Sequence, residues 1–329
     1  MPTVIISRTP LRMSFVGGGS DLPSYYEKFG GAVVSTSVNQ YVYVTVNKKF
    51  DDQIRLSYSK TEEVSSVDEI EHALVRAALK NVDIDGGIEI TSIADIPSRG
   101  TGLGSSSSFT VGLLHALYAF RGKYRSSEDL ASESCRVEID ICKEPIGKQD
   151  QYAAAYGGLN WIRFDQDGSV AVDPIICRPE TVDEIEKSIL TFYTGVTRSA
   201  SALLSKQSQT VSQNEKKQNA MQNMVQLAYS LREELQKDNA DVFGEILHEN
   251  WMLKKSLTQG ISNSVIDDWY ERALKAGAIG GKLLGAGAGG FMIFVAPPEK
   301  HDAIRRALSE LRPVNFGFEN SGSRIVFYQ

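Results

Sequence analysis

Apolar and polar positions divide the chain into two stretches of different character. Residues 3–17, "TVIISRTPLRMSFVG", read as two short strands around a break at Pro10, and 31–50, "GAVVSTSVNQYVYVTVNKKF", as a β-branched and aromatic strand pair. "IRLSYS" and "GIEITSIADI" predict two more strands, separated by the helical "SVDEIEHALVRAALKN". From Ser106 to about Phe120, Val111, Leu114, Leu117 and Tyr118 recur at helical spacing. A second helix is predicted from "SSEDLA", where Ser126 and Asp129 resemble a capping box, to about Cys142. "GGLNWIRFD" and "SVAVDPIIC" predict a hairpin closed by Asp167 and Gly168.

After about residue 180 helices dominate. The pattern predicts a strand at "SILTFYTG", long helices over 205–237 and 240–257, and another over 263–276. Met221, Met224, Leu227 and Leu231 give the first of these an apolar face that reads as packing. "GGKLL", the glycine-rich "GAGAGG", the strand "FMIFVAP", a helix near 299–311, and strands at "PVNFGFE" and "RIVFYQ" complete the chain. Neither half alternates strand and helix strictly, so the expected class is α+β in two domains, 1–180 and 181–329.

The composition narrows the chemistry. With 42% hydrophobic and 23% charged residues the 329-residue chain reads as a soluble globular protein, and its net charge of −6 speaks against a nucleic-acid surface. Cys135, Cys142 and Cys177 form no CxxC pair, and His72, His115, His248 and His301 show no metal-ligand spacing, which disfavours a zinc enzyme. No leader or membrane-spanning stretch is read, so the expected compartment is cytoplasmic, with no membrane partner.

The informative segment is 98–109, "SRGTGLGSSSSF". Gly100, Gly102 and Gly104 bare the backbone of a loop that runs from a strand into a helix, where converging N–H groups and the helix dipole hold phosphate. A Gly/Ser linker with a serine cap would share this composition, but not the flanking strand and helix. The Walker pattern fails because no lysine precedes Ser105, and GxGxxG fails because Ser105 occupies the third glycine position. "GAGAGG" matches GxGxxG, yet its strand follows instead of preceding.

"IPSRGTGLGSSSSFTVGLLHAL" resembles the ATP loop of the GHMP kinases, "RTPLRMSFVGGGSDLPSYY" their N-terminal substrate motif, and "GGKLLGAGAGGFMIFV" their C-terminal glycine motif. The resemblance implies a ribosomal protein S5 domain 2-like N-terminal domain and a ferredoxin-like C-terminal domain. It implies ATP and Mg²⁺ as cofactors and a small-molecule acceptor, in a monomer or homodimer. The nucleotide would lie on Gly100, Thr101, Gly102, Leu103, Gly104, Ser105, Ser106 and Ser107. Ser106 and Glu138 would hold the metal, with Glu133 and Asp140 as alternatives to Glu138. Asp150 would face the acceptor hydroxyl as base, and Arg12 would stabilise charge on the transferred phosphoryl group.

Asp21 matches the aspartate that accepts from sugar hydroxyls, while Gly18 and Gly19 replace the polar pair of galactokinases and imply a larger sugar pocket. The form "TPLR…GGGSD" with "YTGVTRSAS" most resembles bacterial heptose 7-phosphate kinases, which act at the anomeric hydroxyl and supply heptose for nucleotide activation and surface polysaccharide. L-fucokinase domains share much of the pattern. A substrate phosphate would need a cation, with Arg198, Arg8 and Lys282 as candidates. Gly287 is a further candidate substrate contact, its alternative being backbone packing. A non-catalytic sugar or nucleotide sensor is the remaining reading, disfavoured by the presence of both Asp150 and Glu138.

Overall fold

A computed structural model describes residues 3–96, 100–196, 200–287 and 289–329. The chain starts with β1 (Val4–Val16), α1 (Pro23–Phe29) and β2 (Gly31–Lys48). Each of these two strands is continuous, where the sequence pattern predicts two. The β1–β2 register jumps from Pro10 opposite Tyr41 to Leu11 opposite Val38, leaving Asn39 and Gln40 as extra residues in β2. Proline has no N–H to give a ladder, and an interruption of the register accommodates it without ending the strand. Residues 31–36 of β2 pair with β6 (Leu159–Phe164), whereas residues 42–48 pair with β5 (Ile88–Ala94).

Between β2 and β5 lie β3 (Ile54–Ser57), β4 (Thr61–Val64), which the pattern did not predict, and α2 (Ala73–Asn81). α3 (Ser105–Phe120), α4 (Ser127–Cys135) and α5 (Gln149–Tyr156) follow β5. The expected capping box at Ser126 and Asp129 opens α4. β6 and β7 (Val170–Pro174) form the expected hairpin. Together with the final strand, β12 (Arg324–Tyr328), these build one sheet of order β12-β1-β2-β5-β3-β4, with β6 and β7 branching from β2.

The second layer begins with α6 (Pro179–Ser188), unread in the sequence, and β8 (Ile189–Tyr193). Where one helix was expected over 205–237 there are two, α7 (Ala200–Ser212) and α8 (Glu215–Gln236), divided where the Asn214 side chain caps α8. Then come α9 (Phe243–Leu257), α10 (Ser264–Lys275), β9 (Gly280–Leu283), β10 (Phe291–Val295), α11 (His301–Ala307) and β11 (Arg312–Val314). Their antiparallel sheet runs β11-β8-β10-β9. Among the described residues no helix is long and apolar enough to cross a membrane.

The two layers lock together along β1. The Phe15 ring meets Phe243 of α9 edge-on at 5.0 Å, and Lys282 of β9 donates to the carbonyls of Ser14 and Phe15 at 2.6 and 3.1 Å. β12 then returns to pair with β1, so the C-terminal tail completes the first sheet. Ser323, just before β12, lies 2.8 Å from Thr9 Oγ1 and 3.0 Å from His115 Nδ1 of α3. Burial lowers the His115 pKa from 6.5 to about 4. The neutral ring is therefore favoured in the fold, and its contribution to stability, full above pH 6.5, is lost as pH falls toward 4. We expect His115→Gln to flatten the loss of urea midpoint between pH 7.5 and pH 4.5 relative to wild type; an unchanged slope would assign the acid sensitivity elsewhere.

Candidate active site

Gly100, Gly102 and Gly104 all adopt positive φ, at 72°, 79° and 74°. This left-handed geometry explains glycine at every second place and aims the intervening N–H groups toward one side. Leu103 is fully buried and Thr101 nearly so, leaving mainly their backbones to a ligand. Gly104 precedes α3 without any side-chain cap, and the first α-helical bond there is Ser108 N–H to the Gly104 carbonyl at 2.9 Å. The N–H groups of Ser105, Ser106 and Ser107 thus face the loop free of that ladder. Ser105 Oγ pairs with Thr101 Oγ1 at 3.3 Å, while Ser106 is exposed at the mouth.

Glu138 reaches the same helix from a π-helical turn, Arg136–Ile141, that continues α4. Its carboxylate is 1% exposed, and it accepts from Thr110 Oγ1 at 3.0 Å, Ser106 Oγ at 3.4 Å and the Gln151 amide. Burial pushes its pKa up to about 7 against the pull of hydrogen bonds from Ser107, Gln151 and Thr110. The alternatives stand elsewhere: Glu133 accepts from Tyr118 and Asn81, and Asp140 is exposed. Among the described residues no group of three or more His, Cys, Asp or Glu side chains converges as a protein-only metal cage.

Asp150 lies in the first turn of α5 and binds Arg12 through a fork, with Nε to Oδ1 and Nη2 to Oδ2 both at 2.8 Å. The third guanidinium nitrogen, Nη1, donates to the Gly102 carbonyl at 2.6 Å. A Cβ on Gly104 would stand 3.3 Å from both Arg12 Cγ and Asp150 Oδ2. The ion pair is therefore pressed against the end of the phosphate loop. Arg12 is 3% exposed, whereas the Asp150 side chain keeps 25% exposure.

Asp21 is buried beside this pair. Its Oδ1 accepts from Gly19 N–H at 2.9 Å and Gln149 Nε2 at 3.1 Å, and its Oδ2 from Gln149 N–H at 3.3 Å. Burial and the nearby Asp150 charge raise its pKa. The expected enlargement of the pocket at Gly18 and Gly19 takes a different form. A Cβ on Gly18 would reach only 3.4 Å from Ser14 Oγ, but one on Gly19 would overlap Gln207 Nε2 and approach Lys254 Nζ to 3.1 Å. The space at Gly19 is filled from the second layer, by Gln207 of α7 and Lys254 of α9.

The remaining candidates scatter. Arg198 lies outside the described residues. Gly287 packs against the Ile261 backbone and Leu203, with no contact to the Asp21 cluster among the near neighbours of its Cβ position. Gly285 and Gly290 abut Gly102 and Thr101, so the C-terminal glycine motif braces the phosphate loop. Arg8 stacks on Tyr41 and faces Glu319 at 3.8 Å. Lys282 is buried, with Arg12 and Lys254 among the charges acting on it.

Residues 70–158 match the model of the GHMP kinases N terminal domain and residues 231–313 that of the GHMP kinases C terminal, together more than half of the chain. The chain is a GHMP kinase. It is 28% identical to a D-glycero-alpha-D-manno-heptose 7-phosphate kinase of Campylobacter jejuni, with 97% of each chain covered. It is 27% identical to an L-fucokinase/L-fucose-1-P guanylyltransferase of Bacteroides fragilis, covering 94% of this chain and 36% of that one. A solved D-glycero-D-manno-heptose 1-phosphate kinase from Bacteroides thetaiotaomicron superposes with a TM-score of 0.81 at 26% identity, covering 98% of this chain and 99% of that one. This GHMP kinase is accordingly an ATP-dependent phosphotransferase acting on small molecules.

Sequence reasoning passed over Gln149 and Gln151, although both flank Asp150 in "GKQDQ". It also passed over Gln207 and Lys254, which sit in no motif and reach the site only through folding. The loop geometry gives a direct test. Alanine at position 104 would have to adopt φ near 74° and crowd both members of the ion pair. We expect Gly104→Ala to lower kcat/KM for ATP at least tenfold, a loss of about 1–2 kcal/mol from the left-handed strain alone. Near-wild-type ATP kinetics would dissociate the loop's left-handed turn from nucleotide binding.

Proposed function

We propose that this GHMP kinase transfers the γ-phosphoryl group of ATP to the anomeric C1 hydroxyl of a heptose 7-phosphate, giving the 1,7-bisphosphate. The observation that carries the chemistry is the Arg12–Asp150 fork, held at Gly104 with Asp21 one residue away through Gln149. The heptose acceptor is supported by the relative matched over 97% of both chains. The fucokinase match spans 36% of its longer partner, which makes an L-fucose acceptor the second reading.

In this reading the acceptor hydroxyl lies against the open face of Asp150, which takes its proton as the oxygen attacks the γ-phosphorus. Arg12 keeps Asp150 oriented through the fork and spreads positive charge toward the phosphoryl oxygens. Asp21, its two oxygens already aligned by Gly19 and Gln149, accepts from ring hydroxyls and sets which carbon faces Asp150. The N–H groups of Ser105–Ser107 and the dipole of α3 hold the β- and γ-phosphates. The domains we assign are 1–180 and 181–329, with β12 lent back to the first.

A buried carboxylate beside a hydroxyl suits a hard cation that keeps phosphate and water as its other ligands. Glu138 and Ser106 would hold magnesium here, and the ion would neutralise charge between the β- and γ-phosphates. Thr110 and Gln151 fix the Glu138 carboxylate for that role. We expect Glu138→Gln to weaken the Mg²⁺ dependence of ATP binding, measured by calorimetric titration with and without Mg²⁺. Metal-enhanced binding equal to wild type would remove Glu138 from the metal site.

Asp150→Asn keeps an acceptor for Arg12 but loses the base, so kcat should fall about 10²- to 10⁴-fold, more than either KM changes. Turnover within threefold of wild type would end the assignment. Position-resolved product analysis on heptose 7-phosphate, heptose 1-phosphate and L-fucose then separates the two acceptor readings.

A further inference from the structure

Among the described residues, two buried ammonium groups on the second layer have no carboxylate in contact. Lys254 is 6% exposed and donates to the Gly18 carbonyl at 2.8 Å and to Gln207 Oε1 at 3.0 Å. Lys282 is 5% exposed and donates to the main-chain carbonyls of Ser14 and Phe15. The anion that acts on Lys254 is Asp21, whose carboxylate already accepts three hydrogen bonds from Gly19 and Gln149. Burial lowers the Lys254 pKa to about 8, which reports how poorly its charge is compensated.

Polar atoms around the same turn are also left unsatisfied. Gln207 is fully buried, yet its Nε2 has no partner and points at Gly19. Ser14 Oγ and Gln149 Oε1 are likewise unpartnered, and both lie within 4.0 Å of the position a Cβ would take on Gly18. Two unused donors, Ser14 Oγ and Gln207 Nε2, one unused acceptor, Gln149 Oε1, and an ammonium with one N–H to spare therefore line the Gly18–Gly19 turn at the seam between the layers, next to Asp21. A neutral hydroxyl would satisfy the hydrogen bonds and leave the buried charge uncompensated. An anion with several acceptor oxygens satisfies both.

We propose that Lys254 and Gln207 bind the phosphate that the acceptor already carries, making them the specificity-determining residues for a phosphorylated sugar. This rests on the reading of the acceptor as a sugar phosphate. It also accounts for Gly19, since any side chain there would displace both residues from the turn.

The test compares KM for heptose 7-phosphate with KM for the same heptose without phosphate, in wild type, Lys254→Met, Lys254→Arg and Gln207→Glu, with thermal melts of each. Wild type should prefer the phosphorylated sugar. Removing the cation from a buried charge pair should raise KM for heptose 7-phosphate about 30-fold or more. That rise should be at least about tenfold greater than the rise for free heptose. Lys254→Arg should recover part of the preference, and Gln207→Glu, which sets a carboxylate beside the ammonium, should lose it. If Lys254→Met does not fold, the Arg and Gln207→Glu variants carry the comparison.

Equal losses on both acceptors would reduce Lys254 to a support for the glycine turn and overturn the proposal. So would a loss confined to KM for ATP, which would assign the charge to the γ-phosphate. A wild-type enzyme without preference for the phosphorylated sugar would defeat the sugar-phosphate reading itself. A preference that survives in Lys254→Met and Gln207→Glu would defeat only the present inference.

Discussion

Three consecutive side chains at the start of α5 hold the site together. Gln149 binds Asp21, Asp150 binds Arg12, and Gln151 binds Glu138. A helix turns about 100° per residue, so neighbouring side chains leave it in different directions. One rigid turn thereby fixes the spacing of three carboxylates that belong to three separate segments. Gly147 makes the approach possible, because a Cβ there would overlap the Asp21 carboxylate. The arrangement is electrostatically costly. Burial raises the pKa of both Asp21 and Glu138, and the Asp150 charge adds to each shift. Hydrogen bonds from the α5 glutamines oppose that cost.

The second layer enters this arrangement through backbone more than through side chains. Gly285 touches Gly102 and Gly290 touches Thr101, contacts close enough that a Cβ at any of the three glycines would collide with main chain. The phosphate loop is thus clamped from behind by a turn nearly 190 residues downstream in the sequence, while Arg12 ties it to β1 through the Leu103 and Gly102 carbonyls. Left-handed glycines alone would leave the loop many conformations. Contact on both sides removes that freedom before nucleotide arrives, which is where preorganisation is gained.

How much of this was legible in the sequence follows from how local each cause is. Glycine spacing, the capping box and the helical period of α3 depend on neighbours within a few residues, and they could be read directly. β1 was read as broken because Pro10 interrupts its pattern, whereas the bulge that absorbs it belongs to β2. The division of α7 from α8 turned on a single Asn214 cap inside the stretch 205–219, where Val211 is the one large apolar residue. Gly287 was read as a substrate contact or as backbone packing, and the atoms nearest to its Cβ position belong to Ile261 and Leu203. Lys254 and Gln207 carried no local signal at all, since an isolated lysine on a helix is ordinarily solvated and only tertiary packing buries this one.

That contrast bears on how one fold supports different acceptors. The loop, the Arg12–Asp150 fork and the Glu138 turn are gathered from distant segments by the start of α5, and in the proposed function they serve ATP and the reacting oxygen. Gln207 of α7 and Lys254 of α9, by contrast, meet the N-terminal turn only because Gly19 leaves room for them. Substitution at α7 or α9 can therefore change what sits opposite Asp21 without disturbing the three-way grip of α5. Relatives named for heptose phosphates, fucose, mevalonate and galactose share this architecture. On the reading proposed above, a division in which one layer carries the chemistry and the other identifies the acceptor would allow that variety at little cost to catalysis.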